Sequence, residues 1–161
     1  MKFGLYLPNF GDAISARSVA DLANEAEYAG WDGFFLWDHI LYRSNLTSPM
    51  VDPWIALTAA TMQTQKIHLG TSVTPVARRR PWVLARVTAS LDQLSQGRLI
   101  ISAGLGEPAK VEFGMFGEDS DPKIRAEKLD EGLEILNGLR KGEPFSFKGK
   151  HYNLSKMTFQ P

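Results

Sequence analysis

Four short apolar runs recur along the chain at an almost constant interval, and this spacing constrains the fold more than any other feature. Their first residues, at positions 2, 33, 67 and 99, lie 31, 34 and 32 residues apart, which is the length of a strand–helix–strand unit. Each run is almost continuously apolar, as is typical of strands buried on both faces of a parallel sheet. The four runs are Lys2–Leu7, Gly33–Trp37, Ile67–Val73 and Leu99–Ala103.

The segments that follow these runs carry helical patterns with recognisable start signals. Asp52-Pro53 and Asp121-Pro122 each combine an N-cap residue with a proline at the first helical position, and Pro81 opens another helix. The apolar spacing predicts four inward faces. They are Val19, Leu22, Ala23, Ala26 and Ala29; then Trp54, Leu57 and Thr61; then Leu84, Val87, Leu91 and Leu94; then Ala126, Leu129, Leu133 and Leu136.

This alternation predicts a parallel α/β sheet, which is either an open doubly wound sheet or part of a (β/α)8 barrel. A complete barrel needs at least about 200 residues, so four β/α units correspond to about half of one. Residues 145–154 depart from the rhythm and predict a small β-hairpin with a glycine turn. We expect one domain over residues 1–161, and the pattern alone leaves both architectures open.

Composition excludes several classes of protein. Lys and Arg number 18 and Asp and Glu number 18, so the formal net charge is zero, which argues against a nucleic-acid or membrane-surface binder. The chain has no Cys, which excludes a disulfide scaffold and thiolate chemistry. No apolar run approaches the roughly 18 residues of a membrane span. No secretion signal is visible after Met1, so the cytoplasm is the expected location.

Polar residues follow the predicted strands at the point where each strand ends. Asn9 follows the first strand, Asp38-His39 the second, Thr71–Thr74 end the third and Glu107 follows the fourth. In either architecture the carboxyl ends of parallel strands carry the functional groups. His39 is suited to proton transfer near neutral pH, whereas a hydrogen-bonded loop histidine is the alternative. Glu107 fits an acid/base group or an exposed loop charge equally well.

The remaining charged candidates favour structural roles. We expect His68, inside the third strand, either to pack against a helix or to face solvent at the outer wall, and His151 to lie at the surface, and their positions have no metal-ligand spacing. Arg78-Arg79-Arg80 precede a helix and could hold a phosphate or carboxylate, although such a run is more often a solvated face. No metal site is predicted.

Gly104-Leu105-Gly106-Glu107-Pro108-Ala109 formally fits the dinucleotide fingerprint G-x-G-x-x-G/A. Two features weaken this interpretation. Residues 113–117 do not resemble a helix opening, and the fingerprint normally occupies the first strand–helix turn rather than the fourth. An NAD(P)-binding α/β domain nevertheless remains an alternative function.

Several stretches in the same order resemble the luciferase-like monooxygenase family, which includes FMN-dependent and deazaflavin (coenzyme F420)-dependent oxidoreductases. The turn Ser95-Gln96-Gly97-Arg98 is the most specific of them. The resemblance covers essentially the whole chain and implies a (β/α)8 barrel of which four units are present. The resembling stretches are Phe3–Asn9, Ala29–His39, Ile67–Pro75 and Leu91–Arg98.

The resemblance also implies roles for individual residues. His39 and Glu107 are expected to be catalytic, Glu107 as the proton donor. A bulge in the third strand, with a non-prolyl cis peptide at Ser72–Val73, is expected behind the flavin ring. The deazaflavin branch often has Trp four residues after the His, where this chain has Arg43, so residues 43–50 are the candidate substrate-selecting segment. The expected cofactor-binding residues are Asn9, Asp38, His39, Thr71, Ser72 and Val73.

The resemblance leaves the cofactor open between FMN and F420. Hydride transfer to or from the deazaflavin and oxygenation through reduced FMN are both implied activities on a small organic substrate, and a homodimer is the implied assembly. Because members of the family are longer, we expect half of a flavin site and weak cofactor binding. A non-catalytic dimerising remnant is the alternative from a different class.

Overall fold

The computed structural model describes residues 1–45 and 47–161. A four-stranded sheet has the order β1-β2-β3-β4, and a separate two-stranded sheet pairs β5 with β6. The strands are β1 (Gly4–Leu7), β2 (Gly33–Leu36), β3 (His68–Pro75), β4 (Leu99–Gly104), β5 (Pro144–Lys148) and β6 (Asn153–Thr158). The helices are α1 (Ala16–Tyr28), α2 (Pro53–Gln63), α3 (Pro81–Ser95), α4 (Ala109–Glu112) and α5 (Pro122–Leu139).

The order of the strands decides between the two predicted architectures. β1, β2 and β3 pair in parallel, and all four strands follow one another across the sheet in chain order. A doubly wound sheet reverses its strand order at a switch point, whereas a barrel adds each strand to the same side of the previous one. The succession is therefore of the barrel type, and the prediction of four β/α units with a terminal hairpin is confirmed.

The chain divides into two compact units. The first comprises Met1–Thr74 and Leu91–Ser102, and the second comprises Pro75–Ser90 and Ala103–Pro161. The single domain expected over residues 1–161 stays a prediction.

In the first unit, the predicted start of α2 is confirmed by its cap, and α1 has a cap that was not predicted. The carboxylate of Asp52 accepts hydrogen bonds from the backbone N–H of Trp54 at 2.9 Å and of Ile55 at 3.1 Å. Ser15 and Ser18 form a reciprocal capping box at the start of α1. Such caps satisfy N–H groups that have no partner inside the helix and contribute about 1 kcal/mol each.

Two of the five residues predicted on the inner face of α1 are wrong. Leu22 and Ala29 are exposed, and Ala20 is buried with Val19, Ala23 and Ala26. The buried stripe of α1 consists mainly of alanine, and α1 packs against α2, while the larger Leu22 is turned outwards. β2 and β3 supply the centre of this core through Phe34, Leu36 and Leu69.

β3 and β4 lie so close together that one position requires glycine. A Cβ atom added to Gly70 would lie 2.0 Å from the carbonyl oxygen of Ile100. No side chain fits at that distance. Gly70 thus sets the separation between the two strands in the middle of β3.

In the second unit, α5 packs against the hairpin around Ala85, Ile135, Leu139 and Leu154. The inner face predicted for α5 is displaced, because Ala126, Leu129, Leu133 and Leu136 are only half-buried. The buried stripe is Arg125, Gly132, Ile135, Gly138 and Leu139. Gly132 admits Val76 and Gly138 admits the Phe145 ring, since a Cβ at either position would overlap these side chains. The spacing of apolar side chains cannot predict such contacts, because glycine has no side chain to count.

On α3, the predicted stripe is confirmed at two positions and wrong at two. Leu84 and Leu91 are buried, whereas Val87 is 36% and Leu94 43% exposed. Among the helices of residues 1–45 and 47–161, none is long and apolar enough to cross a membrane.

Candidate functional site

Strand register brings the predicted polar residues of the first unit to one end of the sheet. Leu7 pairs with Leu36, and Leu36 pairs with Thr71. Asn9 lies two residues beyond Leu7, and Asp38 and His39 lie two and three residues beyond Leu36. Ser72 and Val73 directly follow Thr71. The carboxyl ends of β1, β2 and β3 therefore present them along a common rim.

Asn9 is fully buried and bonded to the backbone of His39. Its Nδ2 donates to the carbonyl oxygens of His39 and Val51, both at 2.9 Å. Its Oδ1 accepts from the backbone N–H of His39 at 3.3 Å. Both amide protons of Asn9 are thus used within the protein. Asp38, the neighbour of His39, is only 4% exposed.

The imidazole of His39 is half-buried and lies against aromatic rings. Its centroid is 4.9 Å from that of Tyr42 and 5.5 Å from that of Trp37. The ring of Phe10 stacks on Tyr42 at 4.8 Å, and the guanidinium of Arg43 also lies over the Tyr42 ring, with Cζ 5.0 Å from the ring centroid. The rim therefore combines the imidazole of His39 with planar aromatic surface.

The end of β3 supplies hydroxyl groups and exposed chain. Thr71 and Thr74 are fully buried, and their hydroxyl groups hydrogen-bond each other. The Ser72–Val73 peptide bond is cis, which confirms that prediction. Ser72 is half-buried and Val73 is 40% exposed, so both are accessible from solvent.

Glu107 lies in the second unit, where it is paired with Arg125. The guanidinium of Arg125 donates to Oε1 of Glu107 at 2.9 Å and to the carbonyl oxygens of Leu105 and Gly106. Oε2 of Glu107 accepts from the backbone N–H of Ala109 at 2.8 Å. The bond from Ala109, followed by that from Arg125, holds the pKa of Glu107 below its ordinary value of 4.5. Glu107 is therefore an ionised acceptor in this arrangement.

The glycine loop before Glu107 does open a helix, contrary to the expectation from residues 113–117. Gly106 has a positive φ of 79°, the Glu107–Pro108 bond is cis, and α4 begins at Ala109. α4 spans only four residues. Instead, the loop places the carbonyl oxygens of Leu105 and Gly106 close together, where both accept hydrogen bonds from Arg125.

The arginine run is not the solvated face that its composition suggested. Arg78 forms an ion pair with Glu112, and both side chains are almost fully buried, at 4% and 1% exposure. Burial of such a pair is tolerated only because the two charges compensate each other. Arg80 is exposed, and the three arginines line a cavity of about 250 Å³ with Val83, Leu84 and Val87.

The expectation that His151 lies at the surface is also wrong, because its side chain is mostly buried and paired with a carboxylate. Its Nε2 lies 2.8 Å from Oε2 of Glu127, and its side chain is 14% exposed. Lys150 donates to the same carboxylate oxygen at 2.7 Å. These two bonds, that from Lys150 first, lower the pKa of Glu127 to about 2. His68 is half-buried at the start of β3, which leaves open whether it is packed or solvent-facing, the two alternatives expected for it.

No group of three or more His, Asp or Glu side chains suited to a metal ion occurs in the part of the chain that the structure describes. The rim of the first unit does fit a flat, partly apolar organic ring. Val73 offers accessible apolar surface, and the aromatic rings beside His39 offer more. The buried indole Nε1 of Trp37 has no hydrogen-bond partner among the described residues.

Sequence reasoning missed Tyr42, Arg125 and Glu112. Tyr42 has a left-handed backbone with φ of 61°, which no local motif announces. Arg125 and Glu112 are charged residues at buried positions. The detectable signal for Arg125 was a charge at the same helical spacing as Gly132 and Ile135, whereas Glu112 in the short α4 had none. Residues 43–50, the predicted substrate-selecting segment, include Leu46, which lies outside the described residues.

The family model of luciferase-like monooxygenases matches residues 1–161. The chain is 34% identical over 158 residues to an F420-dependent glucose-6-phosphate dehydrogenase of Nakamurella multipartita, covering 92% of this chain and 45% of the relative. A solved F420-dependent secondary alcohol dehydrogenase, in complex with an F420–acetone adduct, superposes with a TM-score of 0.84 at 26% identity, covering 98% of this chain and 48% of that one.

The monooxygenase RslO1 from Streptomyces bottropensis superposes with a TM-score of 0.83 at 30% identity, covering 100% of this chain and 49% of the other. The chain belongs to the luciferase-like monooxygenase family. It spans about half the length of the relatives that it matches. The family resemblance read from the sequence and the barrel-type fold are both confirmed.

Proposed function

We propose that this chain forms the N-terminal part of the cofactor site of a flavin- or deazaflavin-dependent oxidoreductase that acts on a small organic substrate. The observation that carries the proposal is the common rim at the ends of β1, β2 and β3, where half-buried His39 follows β2 and accessible Ser72 and Val73 lie at the end of the neighbouring β3. Ligands of barrel enzymes bind at this end of the strands.

F420 is the better supported of the two cofactors. The curated relatives at 33–34% identity are F420-dependent dehydrogenases, and the 26% identical structure also holds an F420 adduct. A flavin or deazaflavin supplies the electron-transfer chemistry, while the protein orients the ring and the substrate. We infer hydride transfer with F420 as the activity.

His39 and its surroundings have distinct roles in this proposal. Ser72 and Val73 would hold the ring with main chain and apolar surface, while the hydrogen-bonded hydroxyl groups of Thr71 and Thr74 fix the end of β3. Asp38 and His39 would orient the cofactor, and the His39 imidazole would hold or move a proton. The aromatic rings of Trp37 and Tyr42 beside His39 would keep water away from the side of the substrate that faces His39.

Glu107 is proposed as the second proton-transferring group. A general acid must carry a proton, yet its pair with Arg125 and its bond from Ala109 favour the ionised form. We infer that proton donation by Glu107 requires its bond with Arg125 to be broken. While that bond is intact, Glu107 is ionised and accepts hydrogen bonds from Arg125 and Ala109.

The test is a pair of fluorescence titrations of the purified chain, one with FMN and one with F420. The proposal predicts saturable binding of F420, with FMN weaker by about tenfold or more. Because the chain supplies part of the site, the expected dissociation constant lies above about 1 µM. A submicromolar affinity contradicts the partial site, and failure of both cofactors to bind contradicts the proposed seat.

Oxygenation is the second candidate activity, because a solved monooxygenase is 30% identical to this chain in an alignment that covers all of this chain. Tighter binding of FMN than of F420 favours it. Binding of NADH without either flavin supports the NAD(P)-binding alternative. Stable oligomers that bind none of these cofactors support a non-catalytic remnant.

A homodimer is the proposed assembly, and the cytoplasm is the proposed location. Trp82, Val83 and Val87 expose apolar surface on α3, with 37%, 52% and 36% exposure. Surface of this kind is a common feature of subunit contacts. Sedimentation equilibrium tests the dimer, and a monomer at all concentrations contradicts it.

A further inference from the structure

We propose that Asn9 is a positioning residue that holds His39 in place at the rim, an inference that rests on the proposed function only for its effect on the cofactor. Asn9 is fully buried, with 0% exposure. Its side chain reaches the cofactor site through the backbone of His39. The prediction that Asn9 also contacts the cofactor directly stays untested.

The amide of Asn9 forms a two-way bridge with His39. Nδ2 donates to the His39 carbonyl at 2.9 Å, and Oδ1 accepts from the His39 N–H at 3.3 Å. Two strands exchange hydrogen bonds in the same reciprocal manner within a sheet. The side-chain amide of Asn9 therefore makes the pair of hydrogen bonds to the His39 backbone that a neighbouring strand would otherwise make.

His39 needs such a partner because it lies beyond the end of β2. The backbone N–H of Trp37 donates to the carbonyl of Leu7 at 2.9 Å, and β2 ends at Leu36. After these residues, the chain leaves the strand pairing between β1 and β2. The bridge from Asn9 continues the connection between the two strand ends as far as His39.

Asn9 is itself anchored on a third segment. Its second amide proton is donated to the Val51 carbonyl at 2.9 Å, and its own carbonyl accepts from the Val51 N–H at 2.9 Å. The neighbouring N–H of Gly11 donates to the carbonyl of Pro49 at 3.0 Å. Asn9 thus ties the end of β1, the residue after Asp38 and the segment before α2 to one another.

Substitution of Asn9 should act on the imidazole of His39 through this bridge. Asn9→Ala leaves the buried carbonyls of His39 and Val51 without the amide protons that they accept. Asn9→Ser retains one donor and one acceptor on a shorter side chain, so the same effects are expected at smaller amplitude. Thr88→Ala is the matched control, since Thr88 Oγ1 is buried and donates to the Leu84 carbonyl at 2.8 Å in the second unit.

The first readout does not depend on any cofactor. The chain has three histidines, so the imidazole signals of His68 and His151 serve as internal references in a ¹H–¹³C NMR spectrum. Asn9→Ala should shift or broaden the His39 signals alone and speed exchange of the His39 amide hydrogen by about tenfold. Thr88→Ala should change neither. Unchanged His39 signals in Asn9→Ala and Asn9→Ser overturn the proposal.

The second readout is cofactor affinity in a double-mutant cycle with His39→Ala. Asn9→Ala alone should weaken F420 binding by about tenfold, and the double variant should bind no more weakly than His39→Ala. An additive loss shows that Asn9 acts independently of His39 and contradicts the positioning role. If the unmodified chain binds no flavin, the proposed function fails, while the NMR readout still decides the role of Asn9.

Discussion

The guanidinium of Arg98 donates to the backbone carbonyl of Ile67 at 3.1 Å, immediately before β3 begins. On the other side of the same residue, the Ile67 N–H donates to the carboxylate of Glu27 at 2.8 Å. Arg98 also binds the carbonyls of Thr61, Thr64 and Ser95. The Ser-x-Gly-Arg turn is thereby explained as a structural device at the amino end of the sheet, the end opposite the rim.

Arg98→Ala should destabilise the chain by about 2–4 kcal/mol, because several partly buried carbonyls lose a charged donor at once. Arg98→Lys should recover only part of this loss, since an ammonium group does not reproduce the planar set of donors. The measurement is the urea midpoint of unfolding. Arg17→Ala, at an exposed position of α1, is the control and should change stability by less than about 0.5 kcal/mol. Equal midpoints for the two alanine variants contradict the role of Arg98.

Glu27→Gln should make stability less dependent on pH in the acidic range. Burial raises the pKa of Glu27, but hydrogen bonds from the N–H groups of Ile67, Lys66 and Gln65 outweigh burial, so its pKa lies below 4.5. A lowered pKa means that this stabilisation is complete above about pH 4.5 and is lost as pH falls through the folded value. The difference between wild type and Glu27→Gln in urea midpoint should therefore shrink as the pH falls below 4.5. A difference that stays constant with pH assigns the effect to packing instead.

Glu127→Gln should loosen the hairpin formed by β5 and β6. The bonds from Lys150 and His151 lower the pKa of Glu127 to about 2, so the ionised carboxylate stabilises the docked hairpin above pH 4.5 and stops doing so as pH falls towards about 2. At neutral pH, hydrogen exchange of the Lys150 and His151 amides should be faster in Glu127→Gln. Asp130→Asn, at an exposed position of α5, is the matched control. Equal exchange rates in both variants refute this assignment.

Arg125→Met should raise the pKa of Glu107 towards 4.5. The bond from Ala109 contributes most to the lowered pKa and remains, whereas the hydrogen bond and charge of Arg125 are lost, so the rise should be partial. The side-chain carboxyl ¹³C resonance of Glu107, followed by NMR across the acidic range, measures it. Arg140→Met alters an exposed arginine and should leave the resonance unchanged. No rise in Arg125→Met shows that Ala109 alone sets the protonation of Glu107.

The elements of the fold were predictable because their signals are local. Asp52-Pro53 and Asp121-Pro122 start helices through caps contained in two or three residues. The choice of a barrel-type succession required the strand order, which depends on pairing between distant segments and has no local signal. The face of α5 was displaced because Gly132 and Gly138 admit Val76 and Phe145, contacts that only the folded chain creates.

The site was predictable in position but only partly in its contacts. The rule that functional groups follow strand ends located Asn9, Asp38, His39 and Ser72-Val73 on one rim. It did not reveal that Arg125 engages Glu107 or that Glu127 binds His151, because ion pairs between segments 18 or 24 residues apart leave no spacing pattern. The remaining signal was a charged residue on an otherwise buried helix face, as at Arg125 on α5.

The most direct test of the account compares F420 titrations of His39→Asn and His68→Asn. The two histidines lie at opposite ends of the sheet, since His39 follows β2 and His68 begins β3. A cofactor seated at the rim predicts that His39→Asn weakens binding by about tenfold, while His68→Asn binds within about twofold of the unmodified chain. Equal affinities for the two variants, or a loss confined to His68→Asn, would contradict a seat at the carboxyl ends of β1, β2 and β3.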